Sequence, residues 1–512
     1  MGVFALWWFR PEHWPQSFHG LLGNCVDVVL FSLVSYVVWY PIILQIFSWL
    51  ICYQIKDPTY KTPPTGLRVA FITTFVPQSE PMELLHQCLP ALVDADYPHD
   101  TWLLDEGDLP EVRNLCFRLG VKHFSRHGID DYNMAAGKFL RKTKGGNHNS
   151  WYDRHGHNYD IVAQLDTDFI PEPNFLTRTL GYFNDPDVGF VVTPQIYGNT
   201  GESVIAQGAA EQAFNFYGPI LRGFSGIECS VMIGANHVVR VKALAQVNHY
   251  SAHITEDVLT GMKLHANSWK SVYVPEVLAV GEGPATWHAY FIQQMRWAYG
   301  SIDVLLRHSP RLLKNMNVFK AVSYVLLMQY YFSGLAMAIG LLGIGLYAAF
   351  GIPTTRVDIA QFLEFYIPML LLCELMSLFM QKFNIRPHAE KGLLLAGRVM
   401  NVAAWPFFFL ALLGVLSGRR LVYHVTPKAE PISSSSSLKP FTAHLAIGAY
   451  CLACILLAII DHHRSPMMIF WLALSAAIMF GIPYIVPIHD YFTISVAQRP
   501  KVENREADVV LK

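Results

Sequence analysis

Long apolar runs gather near the two ends of the chain, whereas the middle alternates short apolar runs with polar ones. The first apolar stretch runs from about Cys25 to Tyr53, enough to span a bilayer, which takes roughly 20 apolar residues. Residues 57–300 follow a different rhythm. Short runs at Val69–Thr74, Trp102–Asp105, Val121–Phe124, Ile161–Asp166 and Gly189–Thr193 predict strands, and Met82–Val93 predicts a helix between two of them. Strands alternating with helices predict a largely parallel, Rossmann-like α/β sheet, whose ligands sit outside the carboxyl ends of the strands. Beyond it, Ser301–Asn315 sets Arg307, Arg311 and Lys314 beside Leu305, Leu306, Leu312 and Leu313, the pattern of an amphipathic helix lying in a membrane interface. Four further apolar segments, about 321–350, 363–381, 441–460 and 467–487, are long enough to span, and a fifth, 397–417, is not decided by pattern alone. The Ser433–Ser437 run predicts a linker.

Composition sharpens this. Of 512 residues, 52% are hydrophobic and 15% charged, against roughly a quarter charged in an average soluble domain, so part of the chain is solvated by lipid. A net charge of −1 gives no general attraction to nucleic acid. Lys56, Lys61 and Arg68 follow the first stretch and Arg10 alone precedes it, which predicts an outside N-terminus and a cytosolic middle domain. Trp7, Trp8 and Trp14 suit an interfacial aromatic belt. The apolar core starts late and no small-residue cleavage site follows it, so a membrane anchor is expected rather than a cleaved signal. Cys451 and Cys454 have metal-site spacing but lie in an apolar run with no second ligand pair, so they read as packed thiols.

Several polar clusters could carry chemistry. Asp166 and Asp168 flank Thr167 at a strand end, where residues i and i+2 project to one side, and such a carboxylate pair invites Mg²⁺ or Mn²⁺. Acidic pairs there also form turns and caps. Gln293, Arg296 and Trp297 fall on one helix face, joining a guanidinium for phosphate to an indole for a sugar ring, or else marking an interfacial Trp beside a snorkelling Arg. In Thr255-Glu256-Asp257, Thr255 suits an N-cap and the acids a first helical turn, or Asp257 serves as a general base. Asp105, before Glu106-Gly107-Asp108, ends an early strand where a nucleotide base could be gripped. Lys144-Gly145-Gly146-Asn147-His148-Asn149 reads as a glycine-bearing loop suited to a phosphate. Tyr423–Lys428 lies between two apolar segments.

Taken in order, Asp105, Asp166/Asp168, Asp257 and Gln293–Trp297 resemble the D, DxD, D, QxxRW series of processive family 2 glycosyltransferases. The lysine loop resembles their KAGNxN motif and Thr193-Pro194-Gln195 their TPx segment. Gly234-Ala235-Asn236 leading to Arg240 resembles their acceptor-contacting stretch. Thr255–Asp257 with Thr260-Gly261 and Leu264-His265 is similar to the TED helix of cellulose synthases, and Tyr423–Lys428 to their FxVTxK gating loop, with Tyr at its start. The resemblance covers about residues 65–430. It departs at Met232-Ile233-Gly234, where the family has Phe-Cys-Gly, and a regulatory PilZ-type domain is not expected after the last apolar segment.

The resemblance implies an α/β Rossmann-like GT-A domain inserted into a transmembrane helical bundle with interfacial amphipathic helices. The expected layout is an interfacial segment at 1–24, a transmembrane helix at 25–56 and a cytosolic GT-A domain at 57–300. Interfacial and transmembrane helices follow at 301–418, a gating loop and linker at 419–438, further transmembrane helices at 439–489 and a cytosolic tail at 490–512. For the gating loop to reach a cytosolic site, Pro387–Ser417 must be interfacial or re-entrant, leaving five spanning helices in a multi-pass protein of the plasma or inner membrane. The implied reaction is inverting, metal-dependent transfer from a nucleotide-diphosphate sugar, UDP-glucose in the first instance, to a growing β-linked glucan that passes outward. Asp257 would be the base, and Asp166 and Asp168 the Mg²⁺ or Mn²⁺ ligands. Asp105, Lys144, Asp166, Gln293, Arg296, Thr426 and Lys428 would bind the nucleotide, and Trp297, Gly234 and Glu256 the acceptor. Accessory subunits or a homo-oligomer fit the class. Transfer of one sugar to a lipid acceptor, hyaluronan- or chitin-type synthesis, and a catalytically silent scaffold are the alternatives.

Overall fold

A computed structural model describes residues 1–419, 438–460, 462 and 465–487. Among the described residues ten strands lie between Val69 and Gly281: β1 (Val69–Phe75), β2 (Asp100–Asp105), β3 (Lys122–Phe124), β4 (Ile161–Leu165), β5 (Ile170–Pro171), β6 (Val188–Val192), β7 (Ile196–Tyr197), β8 (Asn236–Arg240), β9 (Lys270–Tyr273) and β10 (Ala279–Gly281). Seven of them form one sheet in the order β3-β2-β1-β4-β8-β6-β9, and β5, β10 and β7 form a small second sheet. The main sheet is parallel except at β8, which runs antiparallel to both β4 and β6.

Alternation along fully buried strands divides the core in two. Val69, Phe71 and Phe75 of β1 enter one apolar cluster with Ile161, Ala163 and Leu165, while Ala70 and Ile72 enter the other with Val162, Phe190 and Val239. Neither face of the sheet meets water, so the strands read as continuous apolar runs, as a sheet covered on both faces requires. All five expected strands and the Met82–Val93 helix are present, with ends shifted by at most two residues. The antiparallel β8 escaped the sequence pattern because Asn236 and His237, both buried, open it.

Six helices among the described residues are long and apolar enough to cross a membrane: Gly20–Cys52, Val318–Phe350, Ile359–Phe383, Leu395–Leu416, Lys439–Ile460 and Pro466–Pro487. Gly20–Cys52 runs unbroken through Pro41. Trp7 and Trp8 do not form a lipid-facing belt: they are buried against Phe31 and Phe365, and the Trp8 indole N–H donates to Ser35 Oγ at 2.9 Å. An indole placed between two helices gains more contact area than one left at a headgroup.

The Pro387–Ser417 segment, expected to be interfacial or re-entrant, holds one continuous helix, Leu395–Leu416, straight through Pro406. Its length and composition suffice for a span. Both of its ends nevertheless meet helices that carry or adjoin the catalytic-domain motifs. At the first end Gly397 N–H donates to Glu211 Oε2 at 2.9 Å and Tyr290 donates to the Met400 carbonyl at 3.0 Å. At the other, Arg307 Nη2 donates to the Val415 carbonyl at 2.6 Å and the Tyr299 hydroxyl to that of Arg419. This helix lies lengthwise along the Trp287–Asp303 helix.

Candidate active site

One cavity of about 1230 Å³ opens at the carboxyl ends of the central strands and continues to the membrane helices. Its lining includes Lys144, Asp166, Asp168, Gly234, Glu256, Asp257, Gln293, Arg296 and Trp297, and at its other end Phe47, Tyr330, Tyr331 and Asn401. The volume exceeds the few hundred to about 1,000 Å³ of an ordinary small-molecule site.

Asp166 directly follows β4, with its N–H donating to the Ala235 carbonyl at 3.1 Å. Its carboxylate accepts from Lys144 Nζ, and from Gln164 Nε2 at 3.2 Å, while Lys144 also donates to the Gly234 carbonyl at 2.7 Å. Asp168 is buried, 4% exposed. The cluster is two carboxylates with one cation drawn onto the first of them. Hard oxygen donors from an i, i+2 pair with an ammonium as counter-charge fit a Mg²⁺- or Mn²⁺-type ion.

Lys144 does not sit in a phosphate-cradling loop. Lys144–His155 is a helix, its N-cap Thr143 accepting from Gly146 N at 3.1 Å, with Gly145 and Gly146 buried. The amide meant for a phosphate is used as the cap. What the segment delivers to the cavity is the lysine side chain.

Glu256 and Asp257 open the Glu256–Ala266 helix. Thr255 does not cap it through its side chain, although Asp257 Oδ1 accepts from Val258 N at 2.8 Å. Burial pushes both carboxyls up, Glu256 to about 7 with help from the Asp257 charge, while Lys144 and Arg296 pull both down. A Cβ on Gly234 would lie 3.0 Å from Asp257 Oδ2, so the missing side chain lets the backbone approach that carboxylate. Gln293, Arg296 and Trp297 face the cavity from the Trp287–Asp303 helix, where Thr286 accepts as N-cap from Ala289 N at 3.2 Å.

Other expected residues fall elsewhere. Asp105 is fully buried and outside the lining: it accepts from Gly107 N at 2.8 Å and pairs with His123 at 3.1 Å, whereas its neighbour Glu106, bound to the buried Arg126 at 2.7 Å, reaches the cavity. Arg240 lies at the far end of β8, paired in register with Ile161, and donates to the Val188, Phe183 and Asp185 carbonyls. Because β8 runs antiparallel, Asn236 lies at the site end of that strand and Arg240 at the opposite one. Thr426 and Lys428 lie outside the described residues.

Residues 161–380 match the family described as Glycosyl transferase family group 2. The chain carries a family 2 glycosyltransferase domain. This glycosyltransferase domain is 34% identical over 150 residues to a Dictyostelium discoideum cellulose synthase (its UDP-forming catalytic chain), a match covering 28% of this chain and 14% of that protein. A second relative, the probable glucomannan 4-beta-mannosyltransferase 14 of Arabidopsis thaliana, is 25% identical over 318 residues, 58% of either chain. The chain thus spans under two thirds of the length of these curated relatives. In fold, it resembles a Pyrobaculum calidifontis mannosyltransferase solved with GDP-mannose and Mn²⁺, with a TM-score of 0.51 at 13% identity over 76% of this chain and 100% of the other.

The cavity is also lined by residues that motif reading missed. Gln212, Tyr330 and Asn401 meet where the cavity reaches the membrane helices: Tyr330 donates to Asn401 Oδ1 at 2.6 Å, as does Gln212 Nε2 at 2.7 Å. Only folding joins these distant positions.

Proposed function

We propose that this chain is an inverting, metal-dependent glycosyltransferase that extends a β-linked glucan from UDP-glucose and leads the polymer into the membrane. The observation that carries the reading is the continuous cavity, which joins Asp166, Asp168, Asp257 and Trp297 to Phe47, Tyr330 and Tyr331 of the membrane helices. An enzyme releasing its product to the cytosol has no need of that continuation.

In this reading Asp166 and Asp168 hold Mg²⁺ or Mn²⁺, which when bound neutralises the donor diphosphate. Lys144, Gln293 and Arg296 bind that diphosphate, joined by Thr426 and Lys428, with Asp105 supporting the nucleotide end through Glu106. Asp257 takes the proton of the acceptor hydroxyl, whose oxygen attacks the anomeric carbon as the bond to the diphosphate breaks and its electrons leave with UDP. Burial raises Asp257 and so makes it a stronger base than an exposed carboxylate. Trp297, Gly234 and Glu256 seat the acceptor end. The soluble domain faces the cytosol, five helices span, and Leu395–Leu416 lies in the interface as a floor beneath the site, touching the domain at both ends.

The test is incorporation from radiolabelled UDP-glucose by purified protein in nanodiscs with Mg²⁺ or Mn²⁺, followed by digestion with linkage-specific β-glucanases. A long, digestible polymer supports the reading; a labelled lipid carrying one sugar overturns it. The glucomannan mannosyltransferase relative favours a second donor, and polymer from GDP-mannose alone would move the assignment to a β-mannan.

A further inference from the structure

A cluster outside the expected motifs links the two helices that carry Asp257 and Arg296. His253, two residues before Thr255, places Nε2 3.0 Å from Asp303 Oδ2, at the end of the Trp287–Asp303 helix. Its Nδ1 accepts from Thr255 N–H at 3.1 Å and lies 3.0 Å from Thr255 Oγ1. That pattern fixes the tautomer: Nδ1 accepts, so Nε2 carries the proton and donates to Asp303.

The opposite surface is shaped for the same contact. Gly300 and Asp303 stand four and seven residues after Arg296, so all three share one helix face. A Cβ on Gly300 would lie 2.3 Å from Thr255 Cγ2; only glycine lets Thr255 seat there. Past Asp303 the helix widens over Val304–His308. In a regular α-helix residues i and i+5 point about 140° apart, but the wider turn brings His308 under Asp303, Nε2 to Oδ2 at 3.7 Å, with its ring edge-on to His253.

By distance alone, His253, Asp303 and His308 could hold a cation. Charge argues otherwise. Arg307 already pairs with Asp303 Oδ1 at 2.7 Å, and Lys263 acts on His308 from the neighbouring helix, so the cluster has no net negative charge to hold a dication. Its hydrogen bonds point to the backbone of the base segment instead.

We propose that His253 and Asp303 are positioning residues for Asp257: the Asp303–His253–Thr255 chain fixes the first turn of the base helix against the helix bearing Arg296 and Trp297. This rests on Asp257 being the base. The acceptor hydroxyl is held by one helix and deprotonated from the other, so their separation sets the reacting geometry. Arg307, 2.7 Å from the other Asp303 oxygen, holds that carboxylate from the side opposite His253.

The test uses full-length protein in nanodiscs with UDP-glucose and Mn²⁺, comparing His253→Ala, His253→Asn and Asp303→Asn, each checked for folding by UDP–Mn²⁺ binding. His253→Ala lowers kcat about 10- to 100-fold with donor KM within about twofold, the signature of misplacement rather than lost binding. His253→Asn, whose amide oxygen can accept from Thr255 N–H where Nδ1 did, recovers part of that loss. Amide exchange rises at Thr255–Val258 in His253→Ala and Asp303→Asn and stays unchanged in β4. Wild-type kcat in His253→Ala overturns the proposal, as does a loss shared equally by kcat and UDP binding. If wild type makes no product from any donor, the base assignment falls separately; unchanged exchange at Thr255–Val258 would then still reject the hydrogen-bond chain itself.

Discussion

Two acidic pairs lie in one cavity and are treated in opposite ways. Asp166 and Asp168 end a strand, and Lys144 rests directly on Asp166. Glu256 and Asp257 begin a helix, side by side, and burial is the largest influence on each. The first pair is met by a cation, on Asp166, and the second is held in surroundings that resist charge. A pair of the first kind suits a metal ion, and one of the second kind suits a proton in transit. The residue types are nearly the same; the division of labour comes from what each pair is packed against.

The sharpest way to break this contrast is to remove the proton acceptor. Asp257→Asn should cut turnover by about 10²- to 10⁴-fold while leaving UDP–Mn²⁺ binding in place, read by radiolabel incorporation beside calorimetry. Activity within tenfold of wild type would reject the base assignment. Next in size, Asp168→Asn should raise the Mn²⁺ needed for half-maximal turnover by about 10- to 100-fold, with the fall in rate relieved at high metal; an unchanged metal titration would take this pair out of the metal site. The smallest effect concerns Glu256. Its carboxyl rises from 4.5 to about 7 in the fold, so its stabilising contribution is full below pH 4.5 and lost as pH climbs through 7. Glu256→Gln stays neutral throughout, so its melting temperature should gain on wild type between pH 4.5 and 8, by a few degrees. A difference that stays flat with pH would show that Glu256 is not held uncharged.

Strand positions were legible because both faces of the sheet are buried, leaving apolar runs with clear ends. The site motifs were legible because each is a short local group, Asp166/Asp168 in the turn after β4 and Gln293/Arg296/Trp297 on one helix face. What failed has a common cause: partners distant in the chain. The pattern could show that Asp105 ends a strand, but not that His123 would take its carboxylate and leave Glu106 facing the cavity. The glycines after Lys144 suggested a loop until Thr143 capped a helix there. Arg240 seemed close to Gly234, but β8 carries it to the far end of the sheet.

The helix Leu395–Leu416 sets a limit on how portable this domain is. Met400, Ala403, Phe408, Ala411 and Val415 along it are buried, and helices bordering the catalytic cleft pack on its length. A fragment ending near residue 300 would carry its cleft but leave that apolar underside bare to water. Excised in this way it should aggregate or need detergent, and a soluble version would have to bring its own floor, either by grafting this helix beneath the cleft or by repainting the underside with polar side chains.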